Sequence, residues 1–276
     1  LPVCNEEGTL QKTIEVIRGC GELVDELVVI DSGSKDRSKF ICKRLGVNFI
    51  EDTKVSKDLD IPLKRGKGWN LWAGIYCLNT DIIIWIDSDI ENIGQQFITG
   101  VVGPMIVDSK IRFVKCYYER PKGDARVTEI MARPFLNFLF PKTKDFIQPL
   151  SGEYGGRRSF LEQAFFYSGY SVEVTLLIQA TYHLRSNEYA QAYLGKRIHA
   201  LQGVPSLGRM SASILHTLLF MANEMKFIIT KQQLGTTLQQ YESNDGKNFT
   251  PVEYNVADKM LPPMLTLKSY VNKFGK

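Results

Sequence analysis

Five cysteines in 276 residues (Cys4, Cys20, Cys42, Cys77 and Cys116) are too few, too scattered and odd in number to frame a disulfide scaffold. No Cys-x-x-Cys pair occurs among them, so they read as free thiols in a reducing cytosol. Long apolar runs are missing as well. Nothing approaches the roughly 18 residues that a membrane span needs, and no signal peptide is visible, so a soluble cytoplasmic protein with no membrane partner is expected. Charge of one sign is also scarce. A net +4 with no Lys/Arg run threaded by aromatics suits small anionic substrates and gives no footing for nucleic acid. The Gly-x-Gly-x-x-Gly dinucleotide fingerprint is absent, and the three histidines stand in no zinc spacing. At 44% hydrophobic, the chain can bury one large core, and an α/β domain with an appendage is the default.

What is there centres on Ile82-Ile83-Ile84-Trp85-Ile86-Asp87-Ser88-Asp89. An unbroken run of bulky residues predicts a parallel strand buried on both faces. Near-extended backbone then turns Asp87 and Asp89 to the same side, at the carboxyl end of a strand, where open α/β sheets bind ligands. Two carboxylates at one point call for a positive group between them, and a divalent cation carrying phosphate oxygens is the usual one. Aspartates that merely cap the next turn are the competing reading.

Upstream, Pro2 to Thr9 reads as a strand end turning into a helix with an apolar stripe at Leu10, Ile14 and Ile17, and its loop offers backbone N–H groups to an anion or a base edge. Because the numbering starts directly in that loop, a first strand is expected to precede it. Leu27 to Ile30 is a second strand with the tip Asp31-Ser32-Gly33-Ser34-Lys35-Asp36, which gives βαβ logic. Glu51 to Arg65 reads as a charged loop. Arg65-Gly66-Lys67-Gly68 then opens a helix and holds Lys67 where it can reach a phosphate, although the stretch is no nucleotide-triphosphate loop. Arg126 and Thr128 flank another helix start that favours a phosphate, with Thr128 as a plain N-cap the alternative. Gln148 to Gly156 reads as a glycine-dense turn that lets backbone approach a ligand. Glu173 falls in the first turn of a helix. His183 and His216 read as structural, whereas His199 shares a face with Arg197 and is the metal-ligand candidate beside Asp89, best suited to Mg²⁺ or Mn²⁺. Leu207 to Ile229 is a long amphipathic helix with exposed-looking Leu218, Phe220, Met221 and Phe227. The proline-bearing tail from Tyr241 reads as an extended arm, so residues 206–276 are expected to serve a homodimer and residues 1–205 to form the catalytic domain.

Taken together, Asn5-Glu6-Glu7, Asp31-Ser32-Gly33-Ser34-x-Asp36, Gly66-Lys67-Gly68 and Asp87-Ser88-Asp89 resemble nucleotide-sugar glycosyltransferases of the GT-A fold, an α/β architecture with a mostly parallel sheet. Phe113-Val114-Lys115, Arg120-Pro121, Arg126-Val127-Thr128-Glu129, Ala132-Arg133-Pro134, Gln148 to Tyr154 and Gly169-Tyr170-x-Val172-Glu173 narrow the resemblance to glucosyl-3-phosphoglycerate synthases, from Leu1 to about Met210. The resemblance implies retaining transfer of glucose from a nucleotide diphosphate, UDP favoured, to the 2-hydroxyl of 3-phosphoglycerate. It places Pro2, Val3, Cys4 and Glu6 on the base, Ser32, Asp87 and Ser88 on the nucleoside, Lys67 and Arg197 on the diphosphate, and Asp89 and His199 on the metal. Leu150, Tyr170 and Glu173 would surround the sugar, and Arg126, Thr128 and Gly152 the acceptor. Asp89, Leu150 and Glu173 would act in the reaction itself. In one place the chain departs from the family: Leu201 stands where an amide is usual. The rival readings are a mannosyl-3-phosphoglycerate synthase using GDP-mannose, an inverting transferase with another acceptor, and a non-catalytic nucleotide-sugar sensor.

Overall fold

Alternating apolar stripes become alternating strands and helices. The computed structural model describes residues 1–120, 125–200, 202–243 and 248–275. Its first half runs β1 (Pro2–Val3), α1 (Leu10–Arg18), β2 (Val28–Asp31), α2 (Ser38–Leu45), β3 (Asn48–Glu51), α3 (Asp52–Leu59), α4 (Lys67–Cys77) and β4 (Ile82–Trp85). Next come α5 (Gln96–Val107), β5 (Phe113–Glu119), a π-helical turn (Thr128–Ala132) leading into α6 (Arg133–Leu139), β6 (Tyr154–Arg157), α7 (Arg158–Leu161), β7 (Phe166–Tyr167), α8 (Val172–His183) and β8 (Tyr189–Lys196). The chain closes with α9 (Val204–Glu224), β9 (Thr237–Glu242), β10 (Thr250–Asn255), β11 (Met260–Leu261) and α10 (Lys268–Phe274).

The α/β class expected from the sequence is the one observed. β1, β2 and β3 pair in parallel, and a second sheet has the order β4-β6-β5-β8. Three local expectations are corrected. The charged stretch after β3 is the helix α3, because Val55 and Leu59 lie four apart and bury one face, while Lys54 and Asp58 pair along the outer face at 2.6 Å. The glycine-dense turn ends in strand β6, antiparallel to both β4 and β5. A Cβ on Gly155 would sit 2.6 Å from the Ile83 carbonyl, so the glycines that disguise this strand also let it pair so closely. As a result β4 is not a parallel strand buried on both faces: its partner is antiparallel, and Ile82 and Ile84 are only half-buried. They border a cavity of about 340 Å³ that Val28 and Ile30 of β2 also line.

The main core packs Trp69 and Trp72 of α4 with Trp85, Tyr154 and Phe166. Full burial of each such side chain contributes roughly 1.5–3 kcal/mol. Arg158, itself buried, donates to the carbonyls of Ile75, Leu78 and Thr80, satisfying the carboxyl end of α4, and also to Tyr270 Oη. Tyr270 donates in turn to Glu162. The tail is therefore more ordered than an extended arm: α10 joins the core that fixes α4, and β9 and β10 form a hairpin. On α9, Leu218 and Met221 are not exposed but pack with Phe140, Val174 and Ile178, and the Phe227 ring leans on Phe140 and Tyr182. Phe220 and Phe227 stay exposed as expected, although the helix ends at Glu224, before Phe227 and Ile229.

Candidate active site at the strand tips

The tips after β1 and β2 interlock through side chains. Asn5 N–H donates to Ser34 Oγ, Glu6 N–H to Ser38 Oγ and Glu7 N–H to Asp36. The N–H groups expected to await an anion are thus already engaged by the second tip. Asp31 closes that tip by accepting from the Gly33 and Ser34 amides. Ser32 Oγ donates to Asn70 Oδ1, and Asn70 is anchored by its own bond to the Ile30 carbonyl. Ser88, buried, donates its hydroxyl to the Pro2 carbonyl and so joins the Asp-Ser-Asp tip to β1.

Asp87 and Asp89 face one group, as the strand geometry predicts, but the group is an arginine. Arg197 Nη2 lies 3.1 Å from Asp87 and 3.0 Å from Asp89, and its Nε reaches Glu153 at 3.2 Å. Lys67 Nζ sits between Asp87 at 2.6 Å and Glu173 at 2.7 Å. Lys67 and Arg197 thus arrive already bound to carboxylates. The glycines around Lys67 make this possible. Gly66 has φ +141°, and a Cβ on Gly68 would lie 1.7 Å from the Tyr167 carbonyl. The amides of Gly68 and Trp69 donate to the carbonyls of Gly169 and Ser168, which docks the start of α4 against the Tyr170 loop. Across the site, a Cβ on Gly152 would strike Asp87 Oδ2 at 2.0 Å. Only glycine lets this turn approach the ion pairs.

Burial opposes every charge here, and the partners decide the outcome. Burial would raise the Asp87 carboxyl, yet Lys67 and Arg197 hold it below the usual range. Burial would likewise strip Lys67 of its proton, but Asp87 and Glu173 keep it well above the ordinary lysine value. Glu153, wholly buried, is pushed up by desolvation in spite of Arg197. Glu6 is pushed up to about 7 by burial first and then by the negative charges of Asp89, Asp87 and Asp36.

Apart from Glu153, which lies behind them, these groups line a single cavity of about 580 Å³. Its lining includes Pro2, Val3, Cys4, Glu6 and Ser32 from the first two strand tips, and Lys67, Asp87, Ser88, Asp89, Arg197 and His199 from the ion-paired cluster and its neighbours. Leu150, Gly152, Tyr170 and Glu173 border it too, as do Arg126 and Thr128. Each site residue named from the sequence is therefore brought to the same cavity. Thr128 is not an N-cap, because Glu129 N–H already donates to the Ala125 carbonyl and the helical turn begins before it. Arg126 donates to the Gln202 carbonyl at 3.0 Å. Leu201 and Pro121 lie outside the described residues. Sequence reasoning assigned nothing to Asn70, Tyr118 or Gln202, which also line the cavity. Asn70 was within reach of it: it stands one helical turn after Lys67, on the same face.

Asp89 and His199 also border the cavity together, and among the described residues no cluster of three or more His, Cys, Asp or Glu could hold a metal. One partly exposed carboxylate and one imidazole suit a hard divalent cation that takes its remaining ligands from diphosphate and water.

Residues 1–169 match the family model described as glycosyl transferase family 2. The whole chain is 35% identical to the glucosyl-3-phosphoglycerate synthase of Petrotoga mobilis, 88% of which it covers. It is 34% identical, over 97% of its length, to that of Mycolicibacterium smegmatis, again with 88% covered. A solved structure of glucosyl-3-phosphoglycerate synthase from Mycobacterium tuberculosis, in complex with Mn²⁺, UDP-glucose and phosphoglyceric acid, superposes with a TM-score of 0.84 at 33% identity, over 96% of this chain and 88% of that one. A second, with Mn²⁺, UDP and glucosyl-3-phosphoglycerate, gives 0.85 at 34% identity over 96% of this chain and 89% of that one. A likeness of this depth over almost the full length makes the chain a member of glycosyl transferase family 2 and, within it, of the glucosyl-3-phosphoglycerate synthases.

Proposed function

We propose that this protein transfers glucose from UDP-glucose to the 2-hydroxyl of 3-phosphoglycerate with retention of anomeric configuration. The observation that carries the reading is the convergence of the donor, acceptor and metal residues on one cavity lined by Lys67, Asp87, Arg197 and Asp89. The Mycobacterium tuberculosis enzyme binds UDP-glucose and phosphoglyceric acid with Mn²⁺, which supports the choice of both substrates.

In this reading Pro2 to Glu6 bind the base, Ser32, Asp87 and Ser88 the nucleoside, and Lys67 and Arg197 the diphosphate. Two of the three Lys67 N–H bonds are used by Asp87 and Glu173, which leaves the third for a phosphate oxygen. Mg²⁺ or Mn²⁺ held by Asp89 and His199 would add Lewis-acid stabilisation of the leaving diphosphate. Retention follows from attack by the acceptor 2-hydroxyl on the face that the diphosphate leaves: the new bond to the anomeric carbon forms as its bond to the phosphate oxygen breaks, and the hydroxyl proton passes to that departing oxygen. Lys67 stabilises the charge developing on the departing oxygens, while the Leu150 carbonyl and Glu173 orient the sugar and steady the oxocarbenium character at its anomeric carbon. Glu173 is already held by Lys67, which favours an electrostatic role over a nucleophilic one. Arg126 and Thr128, with the backbone at Gly152, take the acceptor phosphate. A homodimer in the cytoplasm completes the proposal, resting on the free thiols and on exposed Phe220, Ile130 and Phe138. No helix among the described residues is long and apolar enough to cross a membrane.

The test is a donor-by-acceptor matrix with Mn²⁺ or Mg²⁺: UDP-glucose and GDP-mannose against 3-phosphoglycerate and glycerate, with nucleoside diphosphate release measured and product anomers assigned by NMR. Turnover only with GDP-mannose would replace glucose by mannose. An inverted product would remove the front-face mechanism, and no release from any pair would leave a sensor. A monomeric mass at micromolar concentration would remove the dimer.

A further inference from the structure

One charge below the sugar-facing turn has no part in the roles above. Lys115 lies in the middle of β5, is 1% exposed, and makes no ion pair among the described residues. Its Nζ donates to the Ser151 carbonyl at 2.7 Å and lies 3.3 Å from the Glu173 carbonyl, with the Tyr154 ring centroid 4.0 Å away. Ser151 stands between Leu150 and Gly152, and Glu173 opens α8. One ammonium therefore bridges the two backbone segments that carry the sugar-facing groups. The turn's other bonds, Ser151 N–H to the Gln148 carbonyl and Cys116 N–H to the Glu153 carbonyl, do not reach α8, and Ser151 Oγ is buried with no partner among the described residues.

Core stability does not explain such a lysine. Taking an ammonium out of water is costly, and an apolar side chain of similar volume commonly serves a core at least as well. Desolvation pulls this lysine down to about 7, against the attraction of Glu173, which is a measure of how unfavourable the site is for charge.

We propose that Lys115 is a positioning residue for glucosyl transfer, fixing the spacing between the Leu150–Gly152 turn and the first turn of α8 so that the Leu150 carbonyl and the Glu173 carboxylate address one anomeric carbon. This rests on the functional reading above. It touches neither substrate nor the groups assigned to the nucleotide, so it separates the chemical step from donor binding.

The experiment compares the full-length parent with Lys115→Met and Lys115→Gln. Transfer by the parent from UDP-glucose to 3-phosphoglycerate is measured first, and its absence defeats the functional reading and this inference with it. With an active parent, Lys115→Met melts at the same temperature or higher and binds UDP with Mn²⁺ as the parent does. Its kcat falls about a hundred-fold, the scale expected for a misplacement near 1 Å, with KM for UDP-glucose little changed. Lys115→Gln keeps two N–H donors on a shorter reach and recovers part of kcat. The inference is overturned if Lys115→Met keeps parental kcat, if UDP affinity falls by the same factor as kcat, if the variant is unfolded or markedly destabilised, or if Lys115→Gln is no faster than Lys115→Met.

Discussion

Two sets of cations line the cavity and are held in opposite ways. Lys67 and Arg197, proposed above to hold the donor, are sunk among four carboxylates, and Arg197 is 4% exposed. Arg126, half-buried and proposed above for the acceptor, holds one backbone carbonyl in a solvent-exposed hydrogen bond. The donor cations were desolvated when the chain folded, so their geometry is set before any ligand arrives. The acceptor arginine still has its water to lose. Donor recognition and fold stability should therefore be coupled, and acceptor recognition should be separable from both.

The sharpest way to break this contrast is to remove the most exposed of the four carboxylates in this lattice of ion pairs. Asp89→Ala, which takes away the more exposed aspartate and a proposed metal ligand, should lower turnover by about a thousand-fold or more, equivalent to roughly 4 kcal/mol, while the melting temperature moves little. Full turnover of that variant in the presence of a chelator would remove Asp89 from the metal site. Arg197→Met, by contrast, strands Glu153, which is wholly buried. Breaking a buried pair from one side costs about 3–5 kcal/mol, so thermal and urea unfolding should both shift strongly. If stability is unchanged, the lattice is not part of the fold's support and the comparison fails.

For the acceptor arginine the expected effect is smaller and confined to one substrate. A charge-assisted hydrogen bond to phosphate contributes roughly 1.5–3 kcal/mol, so Arg126→Ala should raise KM for 3-phosphoglycerate about ten- to a hundred-fold. KM for UDP-glucose and the melting temperature should stay as they are. Glycerate, lacking the phosphate, should be a poor acceptor for the parent and should lose its disadvantage in the variant. A rise in donor KM with acceptor KM spared would mean that the two phosphate sites are reversed.

The same contrast explains what could be read from the sequence. Strand tips were legible, because apolar runs that end in Asp or Ser announce both the strand and its ligand edge. Hence Asp31, Asp87 and Asp89 were found, and α1, β2 and α8 fell where their apolar residues put them. Two elements were hidden by their own composition. α3 carries so many charges that Val55 and Leu59 did not stand out, and β6 has glycines where a strand usually shows branched side chains. The lattice itself was half visible. Lys67 and Arg197 were recognised as cations near phosphate, but nothing in the sequence says that Arg197 would bridge both aspartates, or that Glu153 and Lys115 would be buried beside them. Pairing between residues a hundred positions apart is set by strand order, and strand order depended on β6.

Glu6, proposed above to face the base, lies close to the lattice but has no cation of its own among the described residues, and it allows the finest test. Burial and the charges of Asp89, Asp87 and Asp36 raise its folded pKa to about 7 from an ordinary 4.5. Between those two values the folded protein keeps a proton that the unfolded chain has released. Stability therefore declines as pH rises from about 4.5 to about 7, and above 7 the loss is complete. Glu6→Gln carries no such group, so its melting temperature should gain on the parent through that window and then run parallel to it. The difference should be modest, because Glu6 is only partly buried and solvent screens its neighbours. Mn²⁺ added without nucleotide should shrink it, since a cation at Asp89 offsets the charge that disfavours ionised Glu6. If the difference is unaffected by pH, Glu6 is governed by solvent and not by the lattice. If it responds to pH but not to Mn²⁺, the cation binds too far from Asp89 for the metal site proposed above.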